Sequence, residues 1–267
     1  MKQISILGCG WLGLPLAQQL IRQGYEIKGT TTSEAKLVVL ENNGIRPFLI
    51  NVSGEGIEGD VTSFLKNAEI LIINIPPKLR GDVKENFVAK VQNIMAAVEA
   101  STIKKVLFVS STSVYPDCNE TITEVTIPEP DSESGLQLFQ AEQLLQNNHH
   151  FQTTVVRFGG LIGNDRHPIR FLAGRKNIEN PDAPINLIHQ DDCIGIIQKI
   201  IESDFWNETF NAVAPFHPTR KAYYTQKAID LNLDIPEFNA NKRCIGKTIL
   251  SDKVISVLGY TFTKNKL

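Results

Sequence analysis

The residues Gly8-Cys9-Gly10-Trp11-Leu12-Gly13 have the types and spacing to hold a phosphate. They follow the apolar run Ile4 to Leu7 and precede a helical pattern of Leu12, Leu16, Ala17, Leu20 and Ile21, so a strand enters a glycine turn and a helix leaves it. In such a turn Gly8 permits the tight bend, Gly10 keeps a side chain out of the way of a pyrophosphate, and Gly13 lets the helix pack closely on its strand. The N–H groups of the helix's first turn then face the phosphates. The chemistry expected is dinucleotide binding, and the plainer alternative is an ordinary tight turn.

A second group of residues bears on which dinucleotide. Tyr25 to Thr30 reads as the next strand, and Thr30, Thr31, Thr32 and Ser33 stand at its end with Lys36 a turn into the following helix. A carboxylate at this place would accept a hydrogen bond from a ribose 2′-hydroxyl and favour NAD. Hydroxyls, a helix N-terminus and a lysine tolerate a 2′-phosphate better, so NADP is the expected preference over NAD. The alternative is that Ser33 is only an N-cap, with Thr31 and Thr32 in its loop. Asn74, Ile75 and Pro76, ending a fourth strand, and Ser110, ending a fifth, are expected to border the same cofactor.

The elements that must position these residues alternate strand and helix. Further strands are expected at Ile45 to Ile50, Glu69 to Ile75, Lys105 to Ser110 and Thr153 to Phe158, the last completing the sheet. Helices are expected at Val61 to Leu65, Val83 to Ala100 and Gly135 to Gln146. This order predicts an α/β fold of Rossmann type, a doubly wound parallel sheet, with a small mixed C-terminal substrate lobe. The dinucleotide-binding domain is expected over residues 1–160 and the C-terminal lobe over 161–267, with 185–203 returning to the core. Pro116 to Ser134 carries no periodicity and reads as a lid or binding loop. Past Phe158 the pattern is broken by glycines and prolines, then resumes as a strand at Ile185 to His189, a helix at Asp191 to Ile201, a strand at Thr209 to Val213 and a helix at Thr219 to Leu231.

Composition narrows the function classes. The 267 residues are 42% hydrophobic and 21% charged, enough apolar content for a full core. A net charge of -2 gives no pull toward nucleic acid or an anionic membrane, so neither is an expected partner. Met1-Lys2 leads straight into the first strand, which predicts a cytoplasmic chain without a signal peptide. The cysteines Cys9, Cys118, Cys193 and Cys244 lack a Cys-x-x-Cys spacing and the histidines lack an His-Glu-x-x-His, so no metal site is expected.

Four stretches together resemble the extended short-chain dehydrogenase/reductase family, which contains NAD-dependent epimerases and dehydratases. They are the glycine turn, Phe108 to Tyr115, Arg157 to Gly163, and Asn186 to Asp192. The likeness is closest to the YeeZ-type branch, carried by Gly10 to Gly13, Ser110 to Tyr115, Arg166-His167-Pro168 with Arg170-Phe171, and Ala214-Pro215 with His217-Pro218. In that family a serine after the fifth strand binds the reacting oxygen, and a Tyr-x-x-x-Lys on the next helix supplies the acid and base. Ser111 matches the serine. Counting back from Glu142, which matches the family's helix glutamate, the tyrosine and lysine fall on Ser134 and Leu138, and neither can do that work. The dehydratase Asp-Glu pair is likewise replaced, by Thr112 and Ser113.

Ser111 and, more weakly, Tyr115 are thus the catalytic candidates, with Asp117 and His167 as further possible proton donors. Tyr223 and Lys227 have the Tyr-x-x-x-Lys spacing but lie on a C-terminal helix, where an amphipathic pattern explains them. His189 and Asp192 match a segment that anchors the C-terminal lobe. Arg166, His167 and Arg170, with Arg175 and Lys176 nearby, suit a small anionic substrate such as a nucleotide sugar, or are scattered surface charge. Two readings follow: an oxidoreductase or epimerase with an altered site, and a non-catalytic dinucleotide sensor or interaction protein. The glycine turn also resembles the β-hydroxyacid dehydrogenases, whose nearly all-helical C-terminal half conflicts with the strands expected at Ile185 to His189 and Thr209 to Val213. The sequence leaves the oligomeric state open.

Overall fold

A computed structural model describes residues 2–77, 85–239, 244–264 and 267. Chain order begins β1 (Gln3–Leu7), α1 (Gly13–Arg22), β2 (Glu26–Thr31), α2 (Ala35–Asn42), β3 (Arg46–Leu49), β4 (Asn51–Val52), β5 (Ile57–Glu58), α3 (Val61–Leu65), β6 (Ile70–Ile73), α4 (Phe87–Glu99) and β7 (Lys105–Ser111). After a 3-10 turn at Thr112–Val114 come β8 (Thr121–Ile122), α5 (Glu133–Gln146), β9 (Gln152–Phe158), β10 (Gly160–Ile162), α6 (Ile169–Leu172), β11 (Leu187–His189), α7 (Gln190–Ser203), β12 (Thr209–Ala212), α8 (Arg220–Asp230), β13 (Thr248–Ile249) and α9 (Asp252–Ser256).

Seven strands form one parallel sheet in the order β12-β9-β7-β6-β1-β2-β3. The expectation that Thr153 to Phe158 completes the sheet is corrected: β12 pairs outside it as a seventh strand, with Phe210 opposite Val156. Strand order reverses between β1 and β6, and at that reversal the carboxyl ends of parallel strands open a crevice. Ile70 to Ile73 are buried on both faces, which explains their unbroken apolar run.

Helices cover both faces. One layer packs α1, α7 and α9 on the sheet through Leu16, Leu20, Ile196, Ile200 and Val254; the other packs α3, α4 and α5 through Phe64, Phe87, Val91, Leu138 and Leu145. Each such side chain contributes about 1.5–3 kcal/mol by leaving water. A smaller cluster of Ile162, Ile169, Tyr223, Tyr224 and Ala228 ties α6 to α8 beyond the sheet. Caps set the helix starts. Asn86 accepts from the Ala89 N–H at 2.9 Å, so α4 begins at Phe87, and residues 83 and 84 of the expected helix lie outside the described residues. α2 begins at Ala35 after Glu34, with no side-chain cap, so Ser33 is not its N-cap.

The stretch expected as a lid is pinned instead. β8 pairs in parallel with β13, and Asn119 and Gly246 exchange two bonds, Asn119 N–H to the Gly246 carbonyl at 2.6 Å and Gly246 N–H to Asn119 Oδ1 at 2.8 Å. Among the described residues no helix is long and apolar enough to cross a membrane, and no cluster of potential metal ligands occurs.

Candidate functional site

The glycine turn is braced from both sides. Gly8 N–H donates to Thr30 Oγ1 at 2.9 Å, and Asn74 Nδ2 donates to the Gly8 carbonyl at 3.0 Å, so β2 and β6 hold the turn between them. Gly8 has a φ of +103°, and a Cβ there would lie 2.3 Å from the Asn74 carbonyl oxygen. A Cβ on Gly13 would lie 2.2 Å from the Gly8 carbonyl oxygen. These two glycines answer to the protein's own packing. Gly10 does not: a Cβ there would meet nothing within 4 Å, and its φ is not positive. The space beside Gly10 fits the near approach of a dinucleotide's pyrophosphate. α1 opens without a side-chain cap, its earliest bond running from Leu14 N–H to the Gly10 carbonyl, which leaves first-turn N–H groups for phosphate oxygens.

The crevice over this turn has a cavity volume of about 190 Å³. Gly8, Gly10, Thr30, Thr31, Thr32, Asn74, Ile75 and Pro76, all expected around a cofactor, line it together with Lys36. Their roles differ. The Thr30 hydroxyl is held by Gly8, and Thr31 Oγ1 accepts from the Ser33 N–H at 3.1 Å, which leaves exposed Thr32 and Lys36 as the groups facing outward. Leu12, Ser33 and Ser110 are not brought to the crevice: Leu12 packs in the core, and Ser110 is buried. Ile50, Asn51, Val52 and Lys90 do line it and were missed from sequence. Lys90 left a signal, since it stands on the buried stripe of α4 between Phe87 and Val91. Cys9 also lines the crevice, and burial pushes its thiol up to about 12.

Toward β7 the polar groups are committed to one another. Ser110 Oγ donates to Glu142 at 2.5 Å, Arg157 grips the same carboxylate through Nε at 3.1 Å and through Nη2 at 2.6 Å, and Arg157 Nη1 donates to Tyr115 Oη at 2.5 Å. Tyr115 is fully buried, with its hydroxyl also bonded to Asn211 Oδ1 at 3.1 Å, and burial raises its pKa. The Tyr115 hydroxyl is thus held by Arg157 and Asn211 inside this network. Ser111 is half-buried at the end of β7, and its Oγ accepts from the Ser113 N–H at 3.2 Å. Ser134 sits in the first turn of α5. Leu138 is core, 5% exposed. Asp117 pairs with Lys247 at 3.2 Å.

The segment beyond β9 returns to the glycine turn. Trp11 Nε1 donates to Asp165 at 2.9 Å, Arg166 lies 5.0 Å from the Trp11 ring centre, and Gln190 Nε2 donates to the Trp11 carbonyl at 2.6 Å. Trp11, Asn164, Asp165 and Gln190 border a hollow that adjoins the crevice at Cys9, Gly10 and Lys36. The cations do not gather at one point. Arg166 stacks on Trp11, Arg170 is exposed on α6, and Lys176 pairs with Glu237 at 3.4 Å. His167 bonds Tyr223 Oη through Nε2 at 2.9 Å, and Nδ1 accepts from the Ile169 N–H, so the ring's one proton is on Nε2 and points to Tyr223. Burial, then Lys227 and Arg170, depress the His167 pKa to about 4. Asp192 is buried and accepts from Tyr260, Thr263 and Lys264, which fits the anchoring place its motif suggested.

The chain as a whole is similar to known proteins. Over 264 residues the chain is 33% identical to protein YeeZ of Escherichia coli K12, covering 98% of this chain and 96% of that one. Its fold aligns with a conserved protein of unknown function from Silicibacter pomeroyi at a TM-score of 0.81 and 21% identity, covering 100% and 95% of the two chains. It aligns with MoeE5, solved with UDP-glucose and NAD, at a TM-score of 0.79 and 17% identity, covering 97% and 93%. Residues 8–186, from the glycine turn to the start of β11, match the NAD(P)H-binding family, and with that span and the YeeZ likeness along its length the chain belongs to this family.

Proposed function

We propose that the protein binds NADP(H) in preference to NAD(H) and acts in the cytoplasm as an oxidoreductase or nucleotide-sugar epimerase/reductase without the usual Tyr-x-x-x-Lys pair. The observation that carries the reading is Gly10, a glycine that neither backbone conformation nor any neighbour requires, set at the mouth of a capless helix. The NADP preference is supported by the crevice lining, which contains Thr32 and Lys36 and no carboxylate among the described residues. A 2′-phosphate beside Thr32 and Lys36 would form charge-assisted bonds that a 2′-hydroxyl cannot. Ser111 would orient the reacting oxygen, and a small anionic substrate, by analogy with the UDP-glucose of MoeE5, would meet Arg166, which lies over the Trp11 ring.

A second reading, a non-catalytic dinucleotide sensor, is favoured by Ser134 and Leu138 in place of a tyrosine and lysine and by the burial of Tyr115, a substitute donor. Titration with NADPH and NADH, followed by reduced-nicotinamide fluorescence, tests the first claim; tighter NADH binding overturns the preference. Hydride exchange against a panel of nucleotide sugars and carbonyl compounds separates the two readings. Robust turnover supports the enzyme, and its absence in a protein that binds NADPH supports the sensor.

A further inference from the structure

Lys90 is a charged side chain on the apolar stripe of α4. Phe87, Val91, Ile94 and Val98 share the stripe and are core, and a Leu or Met at position 90 would pack there without the desolvation that an ammonium suffers. The lysine is nevertheless buried, with its side chain 5% exposed, and it lines the dinucleotide crevice. It forms an ion pair with Glu85, whose side chain is 31% exposed. α4 is fixed against the β4 loop, Asn93 Nδ2 donating to the Ser53 carbonyl at 3.0 Å, so Lys90 cannot move far from the wall it shares with Asn51 and Val52. That wall follows β3, which lies on the far side of β1 from β7 and Ser111. α1 approaches the crevice from one face of the sheet, and α4 carries Lys90 from the other.

Resting on the dinucleotide reading above, we propose that Lys90 is a cofactor-binding residue whose ammonium donates to the adenosine-diphosphate half of the dinucleotide, with Glu85 holding it in place. The helix N-terminus then serves the pyrophosphate from one face of the sheet, and a buried cation answers it from the other. Glu85 tempers the charge, so its removal makes the crevice more attractive to an anion.

The test is calorimetric titration of the full-length protein and its variants with ADP, NADPH and reduced nicotinamide mononucleotide, which lacks the adenosine half. Lys90→Met should weaken ADP and NADPH by about ten- to a hundredfold, the range of one lost charge-assisted bond, and leave the mononucleotide unchanged. Glu85→Gln should tighten ADP severalfold, a change that a merely structural ion pair would not give. ADP binding within twofold of wild type in folded Lys90→Met overturns the proposal. So does weakening by Glu85→Gln as large as that by Lys90→Met, and this arm decides the matter should Lys90→Met fail to fold. Wild-type protein that binds neither ADP nor NADPH would remove the dinucleotide reading itself and this inference with it, whereas normal NADPH binding by wild type and Lys90→Met alike removes the inference alone.

Discussion

The glycines of the turn separate stability from binding, and their substitution by alanine measures each. At Gly8 a Cβ would stand 2.3 Å from a backbone oxygen, far inside van der Waals contact, at a φ of +103°. Overpacking of this kind costs about 1–3 kcal/mol and the left-handed backbone about 1–2 kcal/mol more. Together they remove roughly 2–5 kcal/mol from a fold whose whole margin is about 5–15 kcal/mol. At about 2–4 °C per kcal/mol, Gly8→Ala should lower Tm by on the order of 10 °C. Gly10→Ala has open space and permitted backbone, so by restricting the unfolded chain it should hold Tm or raise it slightly, by about 0.4–1 kcal/mol. Its methyl group occupies the pyrophosphate's approach, and loss of two charge-assisted bonds at about 1.5–3 kcal/mol each weakens NADPH by about a hundredfold or more. Differential scanning fluorimetry reads the first effect and nicotinamide fluorescence the second. Normal NADPH affinity in Gly10→Ala, or destabilisation equal to that of Gly8→Ala, would refute the reasoning.

Three further outcomes are expected. Glu142→Gln leaves the Arg157 guanidinium buried without its counter-charge and should cost about 3–5 kcal/mol, read as a drop in Tm; a change under about 1 kcal/mol would mean that the network is not holding β7, β9 and α5 together. Restoring the family pair by Ser134→Tyr with Leu138→Lys should destabilise the protein by about 2–5 kcal/mol and fail to create turnover, because Leu138 is core; a stable, active double variant would contradict this. His167 has its folded pKa held near 4, below the ordinary 6.5, so between those values the unfolded chain takes up a proton that the native protein refuses. Stability should therefore fall as pH drops through that window, and His167→Gln should flatten the slope of the urea midpoint against pH.

What the sequence made legible was local. The glycine turn, the alternation of strand and helix and most helix starts lie within windows of a dozen residues, where periodicity and caps are readable. The position of β12 was not, because Thr209 to Ala212 reads as a strand in isolation while its pairing with β9 is settled by α7 carrying the chain back across the sheet. Tyr115 looked available by its nearness to Ser111, yet its hydroxyl meets Arg157 from β9 and Asn211 from β12, partners 42 and 96 residues away. Pro116 to Ser134 read as a lid or binding loop because β8 is only two residues long and its partner lies near the C-terminus. Lys90 was readable in principle: a lysine on an apolar stripe is a conflict between local pattern and residue type.

The bond between Asn119 and Gly246 spans 127 residues, and it bears on how the protein is made. A chain emerging from the ribosome at about 5–20 residues per second can assemble β1 to β7 long before residue 246 appears. The segment that follows Ser111 must wait, its register undecided, until the C-terminal strand arrives to lie beside it. Maturation of the Ser111 end is thus the last event of synthesis, whereas the glycine turn can form early. A nascent or truncated chain ending before β13 would hold the glycine turn between β2 and β6 while β8 lacked its partner strand.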